Sequence, residues 1–275
     1  MTTERDVARH YSHGALERAI LDALRSAGKD IDRLQPSDLS AADEFHLGWL
    51  AATAELANDL ALSPGMRLLD VGSGIGGPAR YFAEHHAASV IGVDLTAEYV
   101  SVATALTARC GLADRASFVQ ASALSLPFGD GAFERATLIH VGMNIADKAG
   151  ALREIHRVLA KDGVFAVYDI MHMDGGELPY PMPWAETTAT SFVETPDAYR
   201  RLLEDAGFAI EAERNRRDMA LELGRQMRED AARNGIPPLG LHTLMGPATP
   251  QRIGNVMTAL SAGTIAPIQM LARKR

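Results

Sequence analysis

The chain has 275 residues, 47% of them hydrophobic and 23% charged, which suits one large domain, or a domain with a smaller attachment, and excludes a disordered chain. Its 27 Lys and Arg against 35 Asp and Glu give a net charge of −8; a nucleic-acid binder would need a basic face to displace counterions. One cysteine, Cys110, excludes an intrachain disulfide and a cysteine zinc site, and neither a signal peptide nor a membrane-spanning apolar run is present, so a soluble cytoplasmic protein is expected.

Apolar positions Val7, Leu16, Ile20, Leu21 and Leu24 predict a helix over about residues 3–27, stopped by Gly28. Ser40 and Asp43 have capping-box spacing and predict a second helix through Phe45, Leu50 and Leu56 to the Ser63-Pro64-Gly65 boundary. From there strands and helices alternate. Residues 66–71 and 88–94 read as strands; Thr96 can cap a helix running to Cys110; residues 116–121 and 136–141 read as the third and fourth strands. A helix over 147–159 leads to a fifth strand at 164–170. Thr195-Pro196 and Gly207 bracket a further helix, and a strand follows at 208–214. Helical patterns through Met219, Leu223 and Met227, and over about 250–260, precede a last strand at 265–272. Strands separated by helices need crossovers, so the fold class is α/β with a largely parallel sheet.

The first strand ends in Asp70-Val71-Gly72-Ser73-Gly74-Ile75-Gly76-Gly77-Pro78. Glycines there let backbone approach a ligand, and the helix that follows offers free N–H groups. Asp94, 22 residues after Gly72 at the end of the second strand, can accept both hydroxyls of a ribose. Gly72, Gly74 and Gly77 also satisfy the dinucleotide pattern G-x-G-x-x-G, so a nicotinamide cofactor competes, as does a turn that only permits close packing. Asp70 would sit poorly beside a pyrophosphate, whereas it suits the ammonium group of an adenosyl-amino acid.

Together with residues 122–128 (SALSLPF), 152–163 (LREIHRVLAKDG) and 43–48 (DEFHLG), this loop resembles class I S-adenosylmethionine-dependent methyltransferases. The likeness covers about residues 44–214 and is strongest to the small-molecule branch with the ubiquinone/menaquinone and sarcosine/dimethylglycine enzymes. It implies a Rossmann-like, seven-stranded, mostly parallel sheet with the last strand antiparallel. It also implies S-adenosylmethionine as cofactor, with Gly72, Gly74 and Gly76 facing its amino-acid and ribose parts. Asp70 would hold the ammonium group, Asp94 the ribose hydroxyls, Leu95 the adenine, and His140 would lie near the methionine part. Ser122, followed by Ala123, stands where many relatives place an acid for the adenine amino group; a serine can accept that bond but brings no charge.

On the acceptor side, His140 and His172 follow the fourth and fifth strands, with Asp169 placed to orient one of them, and Glu186 is a further candidate catalytic group. The proline-stiffened run 178–184 presents Tyr180 and Trp184 as substrate contacts, and His242 lies in the late insertion. The nine scattered histidines lack metal-site spacing, so no metal is expected. Residues 1–62 and 215–263 read as a helical cover over a core at 63–214, completed by a last strand and tail at 264–275, all one domain. The expected activity is methyl transfer to an N, O or C centre of a small molecule, with a homodimer as a candidate assembly. The alternatives are an NAD(P)-dependent oxidoreductase and a non-catalytic S-adenosylmethionine-binding protein.

Overall fold

Seven apolar runs meet in one sheet in the computed structural model, which describes residues 2–12, 14–173 and 176–275. The strands are β1 (Arg67–Val71), β2 (Ser89–Asp94), β3 (Ala116–Gln120), β4 (Phe133–Ile139), β5 (Leu159–His172), β6 (Phe208–Asn215) and β7 (Ile265–Lys274). Their order is β3-β2-β1-β4-β5-β7-β6; neighbours pair in parallel except around β7, which is antiparallel to β5 and to β6. β1 is buried along four of its five residues and β5 along ten of fourteen, as expected of strands covered on both faces. The strand order reverses between β1 and β4, which opens a crevice at their C-terminal ends.

Helices α4 (Trp49–Asp59) and α5 (Gly77–His86) cover one face through Leu56 and Phe82. Helices α7 (Lys148–Val158) and α8 (Pro196–Asp205) cover the other through Leu152, Ile155 and Leu203. The strands and the helices from residue 66 onward agree with the sequence reading to within a few residues; β4 starts three residues earlier than expected and β5 extends beyond both predicted ends.

The amino-terminal third differs. The single helix expected over 3–27 is two, α1 (Thr2–Tyr11) and α2 (Leu16–Ser26), separated at a left-handed Gly14. The second predicted helix also divides, into α3 (Pro36–Asp43) and α4. Its capping bond runs from Gln35 N to Asp38 Oδ2 at 2.9 Å, five residues before the Ser40 start read from the sequence. Residues 44–48 between the two helices are not helical, and this break turns DEFHLG into a loop beside the crevice.

The late insertion forms α9 (Arg217–Asn234), α10 (Leu241–Met245) and α11 (Thr249–Ala262). Leu239 and Leu244 pack with Leu16, Ile20 and Leu39 of the amino-terminal helices. Ala220, Val256 and Leu260 pack with Leu47, Met143 and Trp184. Both ends of the chain are therefore sewn into the same body. Among the described residues, no helix is long and apolar enough to cross a membrane.

Candidate active site

The crevice holds a cavity of about 290 Å³, at the lower end of the roughly 300–1,000 Å³ usual for small-molecule sites. Gly72 and Gly74 after β1, Asp94 and Leu95 after β2, Ser122 and Ala123 after β3, and His140 after β4 all line it. Its roof is α1, through Glu4, Val7 and Tyr11, together with Phe45 from the loop after α3.

The glycine loop divides into two parts with different duties. Gly72 is left-handed (φ 76°), and a Cβ on it would stand 2.2 Å from a Val141 methyl. Gly74 N donates to Asp94 Oδ2 at 2.9 Å, while Thr96 N donates to Oδ1 at 2.8 Å. The Asp94 carboxylate is thus aimed by two backbone N–H groups, and each oxygen keeps a lone pair for a further donor. Burial pushes its pKa up to about 6, opposed by those N–H bonds, so at neutral pH it is mainly ionised. Gly76, by contrast, does not line the cavity. A Cβ there would meet Phe118 at 2.7 Å and Arg80 Nη1 at 2.8 Å, and one on Gly77 would meet the Asp43 carbonyl oxygen at 2.3 Å. Gly76 makes room for Arg80 and Phe118 and Gly77 for the end of α3, both packing duties, so the ligand-facing place expected of Gly76 is not in the cavity lining.

Asp70 is also displaced from its expected place. It is buried behind the loop, accepting from Thr137 Oγ1 at 2.8 Å, and it does not line the cavity. Its Oδ2 is buried with no hydrogen-bond partner among the described residues. Burial raises its pKa to about 7, with the Asp94 charge adding to the rise. A folded-state value above the unfolded ~3.9 means that the folded state binds the extra proton. Its stabilisation is complete below about pH 4 and is lost as pH rises through 7. His46 acts in the opposite sense: burial lowers it to about 4, so its contribution is present above the unfolded ~6.5 and is lost only on acidification. Between pH 6.5 and 8 His46 stays neutral, while Asp70 and the buried Glu44, which burial raises to about 8, both give up protons. The melting temperature of the ligand-free protein is therefore expected to fall by several degrees over that interval, and by less in Asp70→Asn; thermal denaturation at the two pH values checks this.

His140 lines the cavity with its backbone in the left-handed region (φ 53°), where a non-glycine residue costs about 1–3 kcal/mol. Leu47 N donates to its Nε2 at 3.3 Å, so Nε2 carries the lone pair. Burial and the neighbouring His46 hold its pKa well below the ordinary histidine range, so the ring is neutral and its proton sits on Nδ1. That atom is buried with no partner among the described residues. His140 can therefore donate a hydrogen bond from Nδ1, but its one basic nitrogen is already occupied, which removes the role of general base.

The other acceptor-side candidates lie elsewhere. His172, at the end of β5, donates from its backbone N to Glu194 O at 2.9 Å and does not line the cavity. Glu186 pairs with Arg252. Trp184 is buried, with Nε1 donating to Ser191 Oγ at 2.8 Å, and Tyr180 packs against the same apolar cluster. The His242 ring lies 3.2 Å from Pro238 O. Asp169 accepts from the Tyr199 hydroxyl and from Ile170 N. The run 178–184 is thus part of the core, because its alternate side chains fill the space between β5 and α11. The insertion 215–263 contributes nothing to the cavity lining; the roof comes from the amino terminus alone.

The sequence placed the amino-terminal helices over the core but did not single out the residues that roof the cavity. Glu4, Val7 and Tyr11 are spaced three and four apart, one face of a helix, and this was the available signal. Asn144, also unforeseen, donates from Nδ2 to Tyr11 OH at 3.1 Å, and its Oδ1 is buried without a partner among the described residues. An aimed carboxylate, a close-approach glycine and unpartnered polar atoms on His140 and Asn144 fit an adenosyl-amino-acid ligand. Among the described residues, no three metal-ligating side chains are grouped to hold an ion.

Residues 69–167 match the family model described as a methyltransferase domain. Methyltransferase GfsG of Streptomyces halstedii is 32% identical over 176 residues, 63% of each chain. Sterol 24-C-methyltransferase ERG6B of Gibberella zeae is 35% identical over 119 residues, 43% of this chain and 31% of that enzyme, so the chain spans about a third of the length of the sterol enzymes it matches. The fold is shared with geranyl diphosphate C-methyltransferase from Streptomyces coelicolor A3(2), solved with Mg2+, geranyl diphosphate and S-adenosyl-L-homocysteine. That likeness has a TM-score of 0.70 at 16% identity and covers 100% of this chain and 98% of the other.

Proposed function

We propose that this chain, which carries a class I S-adenosylmethionine-dependent methyltransferase domain, moves the methyl group of that cofactor onto a small molecule in the cavity beneath α1. The observation that carries the reading is the Asp94 carboxylate, aimed by Gly74 N and Thr96 N at a roofed cavity. When bound, S-adenosylmethionine supplies a methyl group on a sulfonium, an excellent leaving group.

The chain's own residues hold and enclose it. Asp94 takes the ribose hydroxyls, Gly72 and Gly74 let backbone reach the ligand, Leu95 and Ala123 border the adenine, and His140 Nδ1 donates toward the amino-acid part. Asp70, set behind the loop, adds negative charge without contact. Apart from the Asp94 and Glu4 carboxylates, no side chain in the lining is poised as a base. His140 Nε2 is occupied, Asp147 caps α7 through Gly150 N at 2.8 Å, and burial raises the Tyr11 and Tyr99 phenols above their ordinary range. The protein's contribution is then alignment and exclusion of water, worth about 7–11 kcal/mol by effective-molarity arguments. Such a site suits an acceptor whose nucleophilic atom already has an available lone pair or π bond. The net charge of −8 and the lack of a membrane-crossing helix among the described residues support a cytoplasmic enzyme of small molecules without a nucleic-acid partner; a homodimer is the assembly we would test first by light scattering.

The experiment has two arms. S-adenosylhomocysteine, and not NAD, should raise the melting temperature, and methyl-labelled cofactor incubated with a metabolite extract should yield a labelled small-molecule product. Stabilisation by NAD alone would favour an oxidoreductase, and binding without any labelled product would favour a non-catalytic role.

A further inference from the structure

Ser122 occupies the place where the resemblance implies an acid for the adenine amino group, and its hydroxyl does not substitute for one. Its Oγ accepts from Leu124 N at 3.0 Å and donates to Oε1 of Glu4, a residue 118 positions earlier in the chain. Glu4 is half-buried on α1 and lines the cavity together with Leu95, Ser122 and Ala123, and its bond to Ser122 fixes it at the β3 side of that cavity. A carboxylate is therefore present at the adenine end after all, delivered from the roof. An amino group has only hydrogens to offer, so it needs an acceptor, and an ionised acceptor makes hydrogen bonds about twice as strong as a neutral one. A hydroxyl bonded to one carboxylate oxygen fixes the direction of the group while lone pairs remain on both oxygens.

The helix that carries Glu4 is held at its other end as well. Asn144 Nδ2 donates to Tyr11 OH at 3.1 Å, and a ring nitrogen of His10 lies 2.8 Å from Pro183 O. These contacts place Glu4 over the cavity only when α1 lies across it.

We propose that Glu4 is the residue that recognises the adenine amino group, aimed by Ser122, so that the cofactor's base is read only by the closed roof. This rests on the cofactor reading given above. It makes adenine specificity and closure of α1 a single event, where an acid at position 122 would separate them.

The test compares S-adenosylhomocysteine with S-inosylhomocysteine, which carries an oxo group in place of the amino group, by titration calorimetry. The wild-type protein should prefer the adenosyl ligand by about tenfold or more, equivalent to about 1.4 kcal/mol. Glu4→Ala should lose that preference through weaker adenosyl binding, with the inosyl affinity little changed. Adding Ser122→Asp to Glu4→Ala should restore it. In the wild type, the adenosyl ligand should also slow tryptic cleavage at Arg5 and Arg9 of α1 several-fold more than the inosyl ligand. Retention of the wild-type preference in Glu4→Ala overturns the assignment, as does an equal loss of affinity for both ligands, which would make Glu4 a roof contact only. If the wild-type protein binds neither ligand, it is the cofactor reading that fails, with Glu4 falling along with it.

Discussion

Asp94→Ala is expected to weaken S-adenosylhomocysteine binding by about 100-fold, the largest loss from any single change in the cavity. Each hydrogen bond to an ionised acceptor contributes about 1.5–3 kcal/mol, and two ribose hydroxyls would meet this carboxylate; even the low end of the sum exceeds two factors of ten. The ligand-free protein should melt near the wild-type temperature, because the side chain removed is a buried acid already held up at about 6. Wild-type affinity should also fall as pH drops through 6, where protonation removes the charge, while the affinity of the variant stays flat. Calorimetric titration across pH 5–8 measures both effects. An affinity within threefold of wild type would remove Asp94 from the site and with it the main support for the cofactor pose.

Arg80→Met should cost about 3–5 kcal/mol of stability, the usual result of stranding one member of a buried ion pair. Arg80 is completely buried. Its Nη2 donates to Asp43 Oδ2 and to Ile75 O, both at 2.7 Å, and its Nη1 donates to Thr107 Oγ1 at 2.9 Å. The guanidinium thus ties α3, the glycine loop and α6 (Ala97–Arg109) together at one point. Without it Asp43, whose pKa burial already raises, must take up a proton to stay inside, so the loss should grow as pH rises. At about 2–4 °C per kcal/mol for a domain of roughly this size, the melting temperature should drop by about 6–20 °C. The double variant Asp43→Asn/Arg80→Met should recover part of it, since no lone charge remains; a double variant no more stable than Arg80→Met would mean that the carboxylate is not the source of the cost.

The same interactions explain which parts of the molecule could be read from the sequence. The strands after residue 66 announce themselves because both sheet faces are buried, and apolar runs bounded by glycine are unambiguous there. Seven of the nine cofactor candidates line one cavity because they lie at strand ends, where chain order dictates position. Gly76 and Asp70 departed from expectation for reasons invisible in a local pattern: what Gly76 accommodates is Arg80 and Phe118, and what shields Asp70 is Thr137 on a neighbouring strand. The roof was harder still. α1 has one strongly apolar residue on its cavity face, Val7, so its amphipathic pattern is thin. Its partners, Ser122, Asn144 and Pro183, are more than a hundred residues away. Tyr180 and Trp184 misled in the opposite direction, since aromatic side chains on a proline-rich run look the same whether they face a substrate or fill a core.

β7 carries one further consequence, for the order in which the molecule can be assembled. It lies between β5 and β6, and β6 has no other neighbour in the sheet. While residues 216–264 are being synthesised, β5 therefore presents a long apolar edge with open backbone groups, and β6 has nothing to pair with. Chains emerge and fold from the amino terminus, so the cavity half of the sheet, β1 to β4, can be laid down well before the other half is able to close. An unpaired apolar edge invites pairing with other chains; the period before β7 emerges is the one in which this protein is most open to aggregation.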